Sequence, residues 1–235
     1  MSTITLTAKT IATLKKMYDV DQSIKIPANS TTLRIKSQNN TMMAKCEIDV
    51  EFPRDVHIYD IREFNSVVAI VDNPELDFSD DKFVLVKSAD GKQKLRYLEA
   101  ESSLIHSFID KDLVLPSEEI ELKVTQHQLK SVMTAANTMK LEYVGFIGAD
   151  GVITLSSFNK NNGDGNDTNN FSIEVGDTDV DFRMFYKLDI HNIGVLLDEG
   201  DLIITISAKN KVSQIVTETG KIFWIALDAK SEYGS

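Results

Sequence analysis

The sequence predicts an α+β fold of two duplicated domains, each with two helices packed on antiparallel sheet. The first observation is a helix opening, T-x-x-x-I-x-x-L at Thr7–Leu14, that returns about half a chain later as T-x-x-x-L-x-x-V at Thr125–Val132. The second is that strand patterns, another helix pattern and more strand patterns follow both copies. A chain of 235 residues can hold two units with separate cores. The alternative is chance similarity between short apolar patterns.

The first half carries two helix patterns. Thr5–Tyr18 has Thr7 as a plausible cap and places Ile11, Leu14 and Tyr18 on one apolar stripe. Tyr59–Val71 returns to the same spacing. Alternating or β-branched stretches predict strands at Ile24–Ile26, Thr32–Lys36, Met42–Phe52, Leu76–Phe78, Phe83–Lys87 and Leu95–Leu98.

The second half repeats this order after a connector, Glu101–Ser117, so we expect domains at residues 1–100 and 118–235. Helices are predicted at Thr125–Thr138 and Leu188–Leu197. Strands are predicted at Glu119–Val124, Glu142–Ile147, Val152–Phe158, Phe171–Val175, Leu202–Ser207, Gln214–Thr217 and Ile222–Leu227.

The charge is strongly acidic overall, with 25 basic and 36 acidic residues and a formal net charge of −11. Taken as an average, this charge argues against an obvious nucleic-acid binder, because phosphate contacts need lysine and arginine. The helices differ from the average: the chain has no carboxylate before Asp19 and none between Glu121 and Glu142. We therefore predict a sequence-independent phosphate-binding face, with an ordinary solvated helix surface as the alternative. Its candidate residues are Lys9, Lys15, Lys16, Arg62, Lys130, Lys140 and Lys187.

No catalytic grouping is recognisable in the sequence. It has one cysteine, Cys46, no phosphate-binding glycine loop, and four histidines outside any metal-ligand spacing. Asn162–Asp167 is similar to a calcium-binding glycine turn, but it occurs once, and a polar hairpin tip is the simpler interpretation. We expect no enzyme activity, no cofactor, no metal, no membrane segment and a cytoplasmic location.

Four short stretches match the motifs of one known family. V-H-I-Y-D-I-x-x-F at Val56–Phe64 resembles the V-x-I-Y-D-L-x-x-F helix of the DNA sliding clamps of T-even-type tailed bacteriophages, within the PCNA-like superfamily. L-T…L-K at Leu6–Lys15 is similar to its opening, F-N-K at Phe158–Lys160 to its G-F-N-K strand end, and A-L-D-A at Ala226–Ala229 to its closing A-L-E-A. Ser157 departs from the family, which has glycine before F-N-K.

The resemblance implies the DNA clamp fold and a function. Three copies would close head to tail into a homotrimeric ring around duplex DNA, with helices lining the hole. The ring would be loaded by an ATP-dependent clamp loader and would hold a replicative DNA polymerase on its template. A structural or assembly protein of a virus, with no DNA-encircling role, remains an alternative. A small-ligand or metal-dependent enzyme that uses the Asn-Asp-Gly loop is another.

The resemblance also implies two contact sites. One is a subunit interface between edge strands, with Leu95 and Tyr97 meeting Phe171 and Ile173 of the next copy. The other is a pocket for a short apolar peptide of the polymerase. The alternative is that the apolar residues of the connector serve only to anchor it on its own domain. The predicted pocket residues are Leu113, Val114, Leu115, Pro116, Leu227 and Ala229.

Overall fold

The structure is a computed structural model that describes residues 3–159 and 169–234. The chain divides into two compact units, Met1–Asp112 and Leu113–Ser235, called unit 1 and unit 2 below. The division falls inside the predicted connector, Glu101–Ser117.

Unit 1 is built of antiparallel strand pairs and two α-helices. Its elements are β1 (Thr3–Ile4), α1 (Ala8–Tyr18), β2 (Ile24–Ile26), β3 (Thr32–Lys36), β4 (Met42–Glu47), β5 (Val56–Ile58), α2 (Ile61–Ile70), β6 (Pro74–Asp77), β7 (Phe83–Ser88), β8 (Lys94–Leu98) and a 3₁₀ turn (Ser102–Leu104). Strands β1, β6, β7 and β8 form one sheet in that order, β2 pairs with β5, and β3 pairs with β4.

Unit 2 contains one α-helix in its described residues. Its elements are β9 (Ile120–Val124), α3 (Gln126–Met139), β10 (Tyr143–Ala149), β11 (Val152–Phe158), β12 (Phe171–Asp177), β13 (Phe182–Lys187), a 3₁₀ turn (Ile193–Leu196), β14 (Leu202–Ser207), β15 (Val212–Thr217), β16 (Ile222–Ala226) and β17 (Glu232–Tyr233). Strands β9, β14, β15 and β16 pair in that order, and β12, β11, β10, β13 and β17 form another sheet.

The two units share their strand topology. In each unit, the strand before the first helix pairs with the strand after the second helical segment, and a meander of two more strands continues the sheet. The second and fifth strands of each unit also pair with each other, as β2 with β5 and β10 with β13. This correspondence confirms the duplicated α+β fold that the sequence predicts.

The second helix of unit 2 is a correction to the prediction of a helix at Leu188–Leu197. Strand β13 continues to Lys187, a turn follows, and only Ile193–Leu196 is helical, as one 3₁₀ turn. Few residues remain for a helix, since Asp198 already has the left-handed φ of 67°. Gly194 within the segment is also a poor helix former. Three of the four turn residues still bury their side chains, so the apolar spacing reflects burial rather than an α-helix.

The buried face of α1 is also rotated from the predicted stripe. Thr10, Leu14 and Met17 are buried, whereas Ile11 and Tyr18 are only half-buried. The polar Thr10 is accommodated because its hydroxyl donates a hydrogen bond to Asp49 Oδ1 at 2.6 Å. Thr10, with its hydroxyl hydrogen-bonded, therefore occupies the core position that the apolar pattern assigns to Ile11.

Candidate nucleic-acid interface

One face of helix α1 is buried in the core of unit 1, and exposed lysines lie on the other face. The predicted cap is present: Thr7 Oγ1 accepts a hydrogen bond from the Thr10 amide at 3.0 Å. Hydrogen bonds from Thr10 and then Thr7 lower the pKa of Asp49, so this carboxylate stays charged beside Lys9. Lys9 is exposed.

The two lysines at the end of α1 differ in their surroundings. Lys15 is exposed, and the structure gives it no ion pair within residues 3–159 and 169–234. The Lys16 side chain is only 16% exposed, and its Nζ lies 3.8 Å from Asp19 Oδ2. Lys15 is therefore the more accessible cation for an outside anion.

Arg62 stands on the first turn of α2, which Asp60 caps by accepting hydrogen bonds from the amides of Arg62 and Glu63 at 2.8 and 3.0 Å. Its guanidinium carbon lies 4.2 Å from the centre of the Tyr18 ring at the end of α1. Such stacking orients the guanidinium while leaving its N–H donors available. The structure thus brings Lys15 and Arg62 to one place.

An open cavity of about 420 Å³ is lined by residues of α1 and α2, and we call it the α1–α2 cleft. Asn65 in its wall is a residue that the sequence analysis did not single out. The only sequence signal was a polar residue within the apolar spacing of α2. The lining residues of the α1–α2 cleft are Lys15, Tyr18, Asp19, Arg62, Asn65, Ser66 and Ala69.

Helix α3 contributes Lys130 and Lys140. The helix begins with a reciprocal capping box between Thr125 and Gln128, and it contains no carboxylate. Lys130 Nζ lies 2.6 Å from Asp198 Oδ1, so its charge is locally balanced. Lys140 is the exposed C-cap and has a left-handed φ of 53°.

Lys187 is the last residue of β13, and a turn follows it where a helix was predicted from Leu188. Its Nζ lies 2.8 Å from Asp189 Oδ2, and this hydrogen bond raises the pKa of the lysine. Lys187 and Lys130 thus both pair with acidic residues of their own unit.

Two of the strands that end their sheets among the described residues carry opposite charges. They are β8, which pairs with β7, and β12, which pairs with β11. On β8, Lys94 and Arg96 are exposed, and on β12, Glu174 and Asp177 are exposed. One edge is therefore basic and the other acidic.

The predicted interface residues differ in exposure. Leu95 on β8, and Phe171 and Ile173 on β12, are half-buried. Tyr97 is instead buried in unit 1, in edge-to-face contact with Phe64 at 5.1 Å between ring centres. The apolar side chain that β8 leaves outside is Leu98, which is 74% exposed.

The residues predicted for the peptide pocket lie in an extended segment and just after β16. Val114 is 81% exposed, Pro116 is exposed, and Leu113 and Leu115 are half-buried. Leu227 is buried. Ala229 is exposed, and its carbonyl accepts a hydrogen bond from Lys211 Nζ.

Both ends of the connector are anchored by polar contacts in their own units. In unit 1, Asp112 binds Lys45 Nζ at 2.7 Å and Arg34 Nε at 2.6 Å, and these two contacts lower the pKa of the carboxylate. In unit 2, the Ser117 and Ser207 hydroxyls are 2.7 Å apart. The exposed Val114 lies between these two anchors.

Residues 3–159 and 169–234 contain no group of three or more His, Cys, Asp or Glu side chains that could hold a metal. The calcium-like turn at Asn162–Asp167 lies outside the described residues. None of the described helices is both long and apolar enough to cross a bilayer.

Comparisons with known proteins agree on one family. A family model described as DNA polymerase processivity factor matches residues 7–106. The sliding clamp of Vibrio phage KVP40 is 31% identical over 197 residues, which cover 80% of this chain and 85% of that protein. The sliding clamp of Escherichia phage RB69 is 22% identical over 230 residues, covering 97% and 98%.

Among solved structures, the fold is similar to A. fulgidus PCNA with the C-terminal region of FEN-1 bound. The TM-score is 0.68 at 13% identity, and the match covers 99% of this chain and 100% of that one. At this identity the similarity supports the fold alone.

Proposed function

The chain belongs to the sliding clamp family of T-even-type bacteriophages, and from this premise we propose that three copies close into a ring around duplex DNA. A sliding clamp is a DNA polymerase processivity factor. Its function is to keep the replicative polymerase on the template during synthesis. A ring does this by topology, so it needs no tight or sequence-specific grip on the DNA.

The proposal of a trimer is supported by two free sheet edges, β8 and β12, that have opposite charges. Basic β8, with Lys94 and Arg96, suits acidic β12, with Glu174 and Asp177, on the next copy. Because the two edges belong to different units, the contact is head to tail, and such contacts generate a closed ring when the rotation closes. Closure also removes the exposed edges, which otherwise invite aggregation.

Apolar contacts would accompany the strand pairing. We propose that Leu98 makes the apolar contact that the family resemblance implies for Tyr97, since Tyr97 is already buried in its own unit. Leu95, Phe171 and Ile173 retain accessible apolar surface beside the pairing edges. Strand addition of this kind takes affinity from backbone hydrogen bonds and specificity from alternating side chains.

DNA would contact the helices through a few cations on an otherwise acidic protein. The net charge of −11 repels DNA from most of the surface, while exposed Lys9, Lys15, Arg62 and Lys140 attract phosphates. Weak and sequence-independent attraction of this kind permits sliding. Lys16, Lys130 and Lys187 contribute less, because each has a carboxylate partner.

The connector is the proposed docking site of the polymerase. Val114 is an exposed apolar side chain between two anchored ends. The related fold in A. fulgidus PCNA was solved with the C-terminal region of FEN-1 bound, which supports peptide docking on clamps of this shape. We expect a short apolar segment of the polymerase to bind here.

The remaining features follow from a closed ring. Closed rings need to be opened to reach internal DNA, so an ATP-dependent clamp loader is the expected partner. Sliding clamps are non-enzymatic, and we propose no catalytic activity or cofactor for this chain. As a phage protein it would act in the cytoplasm of the infected host.

The molar mass in dilute solution tests the ring. Light scattering should give three times the chain mass of 26.3 kDa, and crosslinking should stop at the trimer. A monomer at all concentrations, or an open polymer that grows with concentration, would refute the proposed assembly.

A further inference from the structure

Asn65 is an unusual residue in the α1–α2 cleft because both polar atoms of its side chain lack partners. It is 8% exposed, and neither Oδ1 nor Nδ2 makes a hydrogen bond in the described structure. Native proteins satisfy most buried polar atoms, so an orphaned amide in a cavity wall indicates a group that a ligand satisfies. The cavity beside it is large enough for a tetrahedral anion.

Two cations flank this amide. Lys15 and Arg62 both line the α1–α2 cleft, both are exposed, and neither has an ion pair within the described residues. The Tyr18 ring, 4.2 Å from the Arg62 guanidinium carbon, limits how that side chain can turn. The Lys15 ammonium, the Arg62 guanidinium and the Asn65 N–H₂ group can all donate hydrogen bonds to an anion. The amide oxygen of Asn65 is the one acceptor among these three side chains.

Asp19 is the one carboxylate in the cleft wall. Its Oδ2 lies 3.8 Å from Lys16 Nζ, so part of its charge is offset from outside the cleft. Two cations against one carboxylate leave the wall positive. A ligand that presents several acceptor oxygens with one negative charge, such as a phosphodiester, fits this balance.

Unit 2 lacks an equivalent arrangement in its described residues. Its second helix is only a 3₁₀ turn, so no pair of helices forms a cleft there. Lys130 and Lys187 are held by Asp198 and Asp189 at 2.6 and 2.8 Å. A phosphate would have to compete with these carboxylates.

We propose that the α1–α2 cleft of unit 1 binds one backbone phosphate of duplex DNA at a defined site, whereas exposed Lys140 of unit 2 attracts DNA through its charge alone. Lys15 and Arg62 supply the charge, and Asn65 Nδ2 donates a hydrogen bond to a phosphate oxygen. The inference rests on the proposed function, because DNA must pass the helices for the contact to form.

A matched pair of double variants tests this assignment. K15Q/R62Q and K130Q/K187Q each remove two positive charges per protomer. The two variants therefore change the net charge of the protein by the same amount. Binding of a short fluorescent duplex is followed by anisotropy at salt concentrations from about 50 to 200 mM. We expect K15Q/R62Q to make the slope of log K against log [salt] shallower by about one per occupied cleft. K130Q/K187Q should leave the slope unchanged.

Asn65→Leu tests the hydrogen bond separately from the charge. It should weaken duplex binding several-fold at fixed salt without changing the slope, since no counterion-releasing contact is lost. A melting temperature no lower than that of the parent protein would show that the variant is folded. Asp19→Asn should strengthen binding, because it removes the carboxylate from the cleft wall.

Three results would overturn the inference: an unchanged slope in K15Q/R62Q, equal slope changes in the two double variants, or unchanged affinity in a folded Asn65→Leu variant. Failure of the proposed function would be visible in the unmutated protein, as the absence of a trimer or of retention on circular DNA. The two kinds of failure are therefore distinguishable.

Discussion

Leu98 offers a quantitative test of the proposed ring. This apolar residue is 74% exposed on the unpaired edge strand β8. Leu98→Ala removes three carbons and changes neither the charge nor the backbone hydrogen bonds of the strand. At roughly 0.8 kcal/mol per buried CH₂, full burial of these carbons is worth about 2.4 kcal/mol. Only the 74% still accessible in the protomer can be buried by a neighbour, which leaves about 1.8 kcal/mol per interface.

The ring multiplies this loss because a closed trimer contains the interface three times. The expected cost is about 5 kcal/mol per ring, or roughly 4000-fold in the trimer association constant. The protomer concentration at the dissociation midpoint varies as the inverse square root of the trimer association constant, so this midpoint should rise about 60-fold. Sedimentation or mass photometry over a dilution series measures this midpoint.

Ile70→Ala is the matched control. Ile70 is 67% exposed and also loses three carbons, but it lies at the end of α2 rather than on a sheet edge. Its midpoint should equal that of the parent protein. An unchanged midpoint in Leu98→Ala, or the same shift in both variants, would refute the edge-to-edge interface.

Three further predictions concern single residues of unit 1. Asn65→Leu removes two unpartnered polar atoms and should raise the free energy of unfolding in urea by about 1–2 kcal/mol; a decrease would show that the amide is satisfied in the free protein. Glu99→Gln leaves Arg54 without the carboxylate it binds and should lower the free energy of unfolding by about 3 kcal/mol, whereas a change near zero would mean that water already solvates the pair. Burial raises the pKa of Tyr97 to about 12, so its stabilising effect is complete below pH ~10 and is lost as the pH rises through ~12. The ultraviolet difference between the parent protein and Tyr97→Phe should show the phenolate near pH 12, and a transition near pH 10 would contradict the burial.

Local signals in the sequence were sufficient for much of the fold. Thr7 caps α1, and Thr125 begins α3, because a threonine before an apolar period satisfies the free amides of the first turn. Strand patterns likewise predicted the meander of each unit. The second helix of unit 2 failed because apolar spacing in a short segment cannot distinguish an α-helix from a buried 3₁₀ turn.

The site depends on contacts that the sequence does not encode locally. Lys130 pairs with Asp198, which is far from it in the sequence, and Lys187 pairs with Asp189 in the turn that replaces the predicted helix. Counting lysines therefore overestimated the available charge in unit 2. On β8, side chains alternate between the two faces of the sheet. A shift of one residue in the assigned register therefore changes whether Tyr97 or Leu98 is expected to be buried. Asn65 belongs to no recognisable sequence motif. It is identified only in the structure, because its buried amide lacks hydrogen-bond partners.

Retention on DNA before and after linearisation tests the central claim, that the protein holds DNA by encircling it. The clamp is loaded onto nicked circular DNA, moved to high salt to screen phosphate contacts, and separated from free protein by gel filtration. The account predicts that the protein stays with the circle and is lost once a restriction enzyme cuts it. Equal retention on the circular and the cut DNA, or loss from both at high salt, would contradict a topological link.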